Sequence, residues 1–260
     1  MKYVCLSFDD ARQDTYKYAF PILKQYGLNA TVNVISNFVT EPNKYSFSSA
    51  PQAMTKEQIL EWQDESFEVA CHGSSHKNTD IDVLNNIKEL ESFGVNVDEI
   101  GFASPESWIT EKNIGQTGID RLQKEGKILY IRSGIQILRE GFFYTCWSLI
   151  EQYTHSSFLY YLLNKKNIIH CPFEKCSILP SAAIKDYTKC KQIKYFINHM
   201  KDDEAIILMF HSILPPADSN FGKDHYYWSL EKFERLCKWL SENETIIVLS
   251  TKDLFKYNIR

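Results

Sequence analysis

Asp9 and Asp10 close the apolar run KYVCLSF, in the stretch LSFDDA. Two adjacent carboxylates repel each other, and neither can be buried without a cation, a hydrogen bond or a shared proton. One ordinary role for such a pair is capping, since DDARQDTYKYAFPIL also reads as the entry to a helix. The other role is chemical, and its partners lie downstream: His72 and His76 in CHGSSH, and His211 at the end of AIILMF. A His-x-x-x-His pair with one carboxylate supplies three ligands for a divalent cation and leaves positions open for water and substrate. A second carboxylate beside such a site can serve as a general base.

Residues so far apart in sequence need a fold that gathers them. Short apolar, β-branched runs recur along the chain (KYVCLSF, NATVNVI, FEVAC, EIGFA, KILYIRS, FFYTCWSL, NIIHC, AIILMF, TIIVLS) with helical segments between them. That alternation predicts a parallel sheet with crossover helices. Without a Pro-rich or Gly/Ser-rich linker, the expected fold is α/β: one distorted (β/α) barrel of about seven parallel strands, a single domain over residues 1–260. In such a barrel the C-terminal ends of all strands open on one face, where Asp9, Asp10, His72, His76 and His211 would meet. Neighbouring side chains of a strand point to opposite faces, so both aspartates reach one site only if the strand end kinks. Thr55 with Gln58 reads as a capping box, Gly94 as a helix stop, and Ser229 and Thr251 as helix starts. The irregular stretches 36–53 and 212–228 each follow a strand, as rim loops do.

Composition narrows the function. The chain is 44% hydrophobic and 24% charged, with a net charge of −4 and no basic stripe, which disfavours a nucleic-acid partner. Seven scattered cysteines with no Cys-x-x-Cys pair, and a start lacking a signal peptide's apolar core, point to the reducing cytoplasm. No apolar run approaches the roughly 20 residues of a transmembrane helix. His155, His170, His199 and His225 read as structural or solvent-facing residues.

The stretches LSFDDA, MTKEQILEWQDESFEVACHGSSH, FASPES, LMFHSI and TIIVLSTKDL together resemble the polysaccharide deacetylase family, the NodB-homology domain of carbohydrate esterase family 4. The resemblance implies that Asp10, His72 and His76 hold a divalent metal, usually zinc, that Asp9 is the base, and that His211 protonates a departing amine. A backbone N–H near Pro105 and Glu106 would hold the oxyanion. The implied activity is hydrolysis of an N-acetyl, or formyl, group on an amino sugar or glycan precursor. The alternatives are a non-catalytic carbohydrate-binding barrel and a hydrolase of a non-sugar amide. Trp147, closing an apolar run, is read as a wall of the substrate pocket, since flat rings stack on sugar faces, or as core packing. Tyr226, Tyr227 and Trp228 are read as packing or substrate rim.

Two departures stand out. The family's third motif usually carries an Arg that orients the base, and its fourth an Asp that partners the Arg. GFASPESW has no Arg, and FFYTCWSL, in the place of the fourth motif, has no Asp. Arg12, Arg132 and Arg139 are the cations that could hold Asp9 instead.

Overall fold

The structure is a computed structural model that describes residues 1–260 apart from 43, 45–46, 48–49, 108–112, 135–141, 172–176 and 257–260. Its strands are β1 (Lys2–Phe8), β2 (Thr31–Val34), β3 (Glu68–Cys71), β4 (Ile100–Ala103), β5 (Ile128–Gly134), β6 (Ile169–His170), β7 (Ile178–Ala183), β8 (Glu204–Phe210), β9 (Ser212–Leu214), β10 (Tyr227–Ser229) and β11 (Ile246–Leu249). The helices are α1 (Phe20–Gln25), α2 (Ser36–Thr40), α3 (Lys56–Asp64), α4 (Asp80–Phe93), α5 (Gly115–Gly126), α6 (Phe142–Thr154), α7 (Ser157–Asn164), α8 (Cys190–Asn198) and α9 (Leu230–Ser241).

The strands β1, β2, β3, β4, β5, β7 and β8 pair in that order, and β8 returns to β1, closing a barrel of seven parallel strands. This is the architecture expected from the alternating pattern. Two further strands distort it. β11 pairs with β1 over Lys2–Cys5, below the point where β1 meets β2 at Ser7 and Phe8. The two-residue β6 runs antiparallel to the start of β8 at Glu204 and Ala205, below the β7–β8 pairs at Ala182 and Ala183.

Period-two alternation sorts the side chains. Val4, Leu6 and Phe8, with Ile206, Leu208 and Phe210, face the helices and join the large core that includes Trp62, Phe67 and Phe233. Phe8 stacks on Phe210 at 5.4 Å and meets Trp62 edge-on at 6.2 Å. Tyr3, Cys5, Ala205 and Ile207 face the barrel interior, with Leu129 and Tyr130. There Glu68 accepts hydrogen bonds from Tyr130 (2.8 Å) and Thr31 (2.7 Å). Gly101 makes room for that interior, since a Cβ there would lie 2.2 Å from Tyr130 Cζ.

The capping box at Thr55 and Gln58 is present, and Gly94 ends α4 in the left-handed conformation (φ 97°). Ser229 precedes α9 without a side-chain cap bond. After Thr251 only a 3-10 turn forms, Asp253–Lys256, with Ser250 Oγ accepting from the Asp253 N–H. One strand expectation fails: FFYTCWSL lies in the 13-residue helix α6. Short apolar aromatic runs do not reveal their period, and the helix shows itself only in the length of the segment that continues through Thr154.

Candidate metal and hydrolytic site

The strand ends are level, and this gathers the site. Phe8 lies opposite Phe210 in the β1–β8 register, and the Asp9 N–H donates to Phe210 O at 2.9 Å, which sets Asp9 and His211 side by side. Asp9 continues the inward row of Tyr3, Cys5 and Ser7. Asp10 would point outward, but its φ is 73° and that of Ala11 is 51°, two successive left-handed non-glycine residues. This is the kink that lets both carboxylates face the centre, and such backbone costs of order 1–3 kcal/mol per residue. It is held by Met54 N–H donating to Ala11 O (2.7 Å) and Gln13 N–H donating to Gln52 O (2.9 Å). Neither aspartate caps the following helix, which begins as a π-helical turn at Thr15.

Asp10, His72 and His76 each offer one ligand atom, all within 4.8 Å of one another. Asp10 Oδ1 is 3.4 Å from His72 Nε2 and 3.8 Å from His76 Nε2. The Nδ1 of His72 is 2.7 Å from Ala103 O, so its proton is placed there and the Nε2 lone pair faces Asp10. Lone pairs from two imidazoles and a carboxylate converging on one point repel unless a cation sits among them, and this donor set fits a divalent one. Burial opposes charge on His72, yet Asp9 and Asp10 outweigh it and raise its pKa. His76 goes the other way, lowered by burial and by His72.

The loop between the two histidines is braced from α4. Asp82 accepts from the Ser75 N–H (3.1 Å), the Ser75 hydroxyl (2.6 Å) and the Lys77 N–H (3.0 Å). Gly73, at φ 80°, passes so close that a Cβ there would lie 2.6 Å from Asp82 Oδ2. Asn86, also on α4, accepts from the His72 N–H at 3.0 Å.

The two aspartates have different arginines. Arg132 on β5 donates from Nη2 to both Asp9 oxygens, each at 2.8 Å, and Asn33 Nδ2 donates to Asp9 Oδ1 at 2.8 Å. Burial works to raise the Asp9 pKa, but Arg132, then His72 and His211, outweigh it and hold it below the ordinary carboxylate value. Arg12 donates from Nε to Asp10 Oδ2 (2.8 Å), leaving Oδ1 toward the histidines, and from Nη1 to Ser212 Oγ (2.9 Å). Arg12 and His72 carry Asp10 well below the usual value despite its burial. Arg139 lies outside the described residues. Of the cations the sequence offered for Asp9, Arg132 on the strand next to β4 is thus the one that holds it, and Ser104 N–H donates to Arg132 O at 2.8 Å. Among the described residues Nε and Nη1 of Arg132 have no partner.

His211 Nε2 is 3.9 Å from Asp9 Oδ2, and its ring faces Tyr226 at 5.0 Å. Burial and the guanidinium of Arg12 push its pKa down to about 4, so the imidazole is neutral at physiological pH. Pro105 is buried and has no N–H, so of this pair only Glu106, at φ 55°, offers a backbone donor. The Glu106 carboxylate acts on His76 through its charge. Trp147 is not brought to the cluster: it is half-exposed on α6, which packs on α7 and reaches α8 through Glu151. Of the aromatic trio, Trp228 is buried and donates to Thr188 O at 2.9 Å, whereas Tyr226 stays on the rim. His225 is exposed and pairs with Asp186 at 3.0 Å.

Fold and site together define a (β/α) barrel that presents three groups able to hold a cation, Asp10, His72 and His76, beside an arginine-held carboxylate. Residues 1–113 match the polysaccharide deacetylase family, bearing out the resemblance read from the motifs. Comparison with curated proteins finds no match. Among solved structures, the peptidoglycan deacetylase PdaC from Bacillus subtilis is 14% identical with a TM-score of 0.52, over 98% of this chain and 90% of that one. The family 4 acetyl xylan esterase from Clostridium thermocellum, in complex with a cobalt ion, is 13% identical with a TM-score of 0.52, over 98% and 91%. The Xyl-CE4 domain of a multidomain xylanase from the hindgut metagenome of Trinervitermes trinervoides is 14% identical with a TM-score of 0.51, over 100% and 94%. At these identities the likeness establishes the fold.

Proposed function

We propose that the protein is a metal-dependent deacylase that hydrolyses the N-acetyl or N-formyl group of an amino sugar or glycan precursor. The observation that carries this reading is the division of the aspartate pair: Asp10 faces His72 and His76, while Asp9 stands beside them, gripped by Arg132, with His211 across from it. A cation held by Asp10, His72 and His76, zinc by preference, would supply Lewis-acid polarisation of the acyl carbonyl and acidify a water toward neutrality. Asp9, kept ionised and oriented by Arg132 and Asn33, takes the proton of the attacking water. The Glu106 N–H is the candidate we assign to steady the developing oxyanion. His211 starts neutral, so its role as proton donor to the leaving amine requires it to gain a proton during turnover, and Asp9 is the adjacent source.

An acid and a base opposite each other are superfluous in a module that only binds sugar, which favours the enzyme. Residues 1–260 are read as one domain acting in the cytoplasm, which suits a precursor as substrate. The test pairs metal analysis with measurement of acetate and formate released from a panel of N-acylated sugars. Stoichiometric metal with release from at least one sugar, lost in Asp9→Asn, is expected. Stoichiometric metal without release from any sugar, in wild type and Asp9→Asn alike, would replace this reading with the non-catalytic one, and release from non-sugar amides alone would replace the substrate class.

A further inference from the structure

Helix α6, between β5 and β7, carries an apolar stripe on its outer side. From Cys146 on α6, the positions i+3, i+4 and i+7 are Leu149, Ile150 and Tyr153, the spacing by which an amphipathic helix buries one face. Here that face is outward: Leu149 is 60%, Ile150 43% and Tyr153 90% exposed. The helix's carboxylate, Glu151, is instead buried and hydrogen-bonded by Gln192 of α8. α7 is apolar on both sides. Phe158 is 56% exposed and Leu162, one turn on, is also exposed, while Tyr160 and Leu163 are buried and Tyr161 packs on Phe196 of α8.

Positive charge borders the joint of α6 and α7. Residues 142–201 contain eight lysines against three carboxylates, in a chain whose overall balance is 29 basic to 33 acidic. Lys165 is exposed just past the end of α7, and Lys191 is exposed on α8. The ring of His155, at the joint of α6 and α7, has its pKa lowered by desolvation and by Lys189, Lys191 and Lys232, which places those ammonium groups around the joint.

We propose that the α6–α7 face docks on an anionic lipid bilayer. The apolar side chains would enter the headgroup boundary, and the lysines would meet lipid phosphates. Charge argues for this occupant over a second copy of the chain, because a two-fold contact would set one lysine-rich rim against another. Trp147, 50% exposed on the same helix, gains a purpose here, since indole rings concentrate at membrane interfaces. No helix among the described residues is long and apolar enough to cross a membrane, so the contact is interfacial. This inference is independent of the proposed reaction.

The full chain is sedimented with vesicles of phosphatidylcholine alone or of equal parts phosphatidylcholine and phosphatidylglycerol. Binding to the anionic vesicles only, weakened by salt, is expected. Leu149→Ser, Tyr153→Ser and Phe158→Ser combined should reduce it more than about tenfold, as should Lys165→Glu with Lys191→Glu, both with unchanged thermal melting because these side chains are exposed. Failure of the wild type to bind anionic vesicles would overturn the proposal. So would a concentration-dependent dimer in sedimentation equilibrium that the serine triple variant abolishes.

Discussion

Replacing Arg132 with methionine removes the guanidinium from Asp9 and keeps an unbranched side chain in its place. The lost contact is a pair of 2.8 Å hydrogen bonds between two buried groups. An ion pair separated by about 4 Å at an effective dielectric near 20 amounts to about 4 kcal/mol. Removing one member of a buried pair costs about 3–5 kcal/mol, because the other is left uncompensated. Two consequences follow. The urea midpoint should fall by an amount in that range, and the double variant Asp9→Asn with Arg132→Met should lose much less than the sum of the single losses. Asp9 must be ionised to act as a base, and without Arg132 the burial that opposes its charge goes unanswered. The acid limb of deacylation against pH should therefore move upward by more than about one pH unit, each unit corresponding to about 1.4 kcal/mol. Metal affinity by calorimetry should change little, since Arg132 does not touch Asp10, His72 or His76 among the described contacts. A limb that stays in place while metal binding is intact would refute Arg132 as the residue that holds the base.

The remaining predictions concern neighbouring parts of the site. Asp10→Asn should abolish stoichiometric metal while Asp9→Asn keeps metal and loses turnover; equal loss of metal from both would collapse their separate roles. Gly73→Ala must place a Cβ 2.6 Å from Asp82 Oδ2 at φ 80°, so we expect a loss of about 2–3 kcal/mol in stability and weaker metal binding, and unchanged affinity in calorimetry would show that the Asp82 brace does not set the ligand loop. His211, lowered to about 4, resists protonation in the fold but not in the unfolded chain, so between pH 6.5 and 4 the unfolded state binds more protons and about 3 kcal/mol of stability drains away as pH falls. His211→Gln should flatten urea midpoints across that window. Asp9 and Asp10, held low, contribute fully above about pH 3.9 and lose their contribution only as pH falls through their folded values, so a second decline in stability should begin below it.

Most of the candidate site residues were legible in the sequence because they sit at a strand's C-terminal end, where an apolar run stops against a polar group. Asp9, Asp10, His72 and His211 have that signature, His76 follows from its spacing to His72, and the same runs mark six of the seven barrel strands but leave out β7. Arg132 and Asn33 lack it. They lie inside strands, and only period two marks them, as polar residues at alternate positions in KILYIRS and NATVNVI that a buried strand cannot carry without a partner. Spacing named Arg132 as one of three possible cations, but the choice depends on which strand lies across the barrel from Asp9. Asp82 was hidden for a different reason: on α4 it reads as one more first-turn acid, and its work is done on a loop seven residues earlier. Trp147 was misplaced through the reading of α6 as a strand.

The two seams flanking the β1–β8 pair are unusual in where they close. β1 meets β2 only at Ser7 and Phe8, and β7 meets β8 only at Ala182 and Ala183, beside Asp9 and His211, while β11 and β6 fill the gaps underneath. The barrel is thus cinched at the mouth that carries the candidate site and shimmed at its foot. A few ladder bonds at the mouth tie the strands of Asp9 and His211 to their outer neighbours, while the spacing of Asp9 and His211 is itself set by the continuous β1–β8 ladder. The foot can absorb changes in strand length or packing, because its inserts carry no reacting group. Variation in chains built this way should accumulate beneath the site, and a single-residue insertion near Phe8 or Phe210 should do more harm to turnover than one of equal size in β6 or β11.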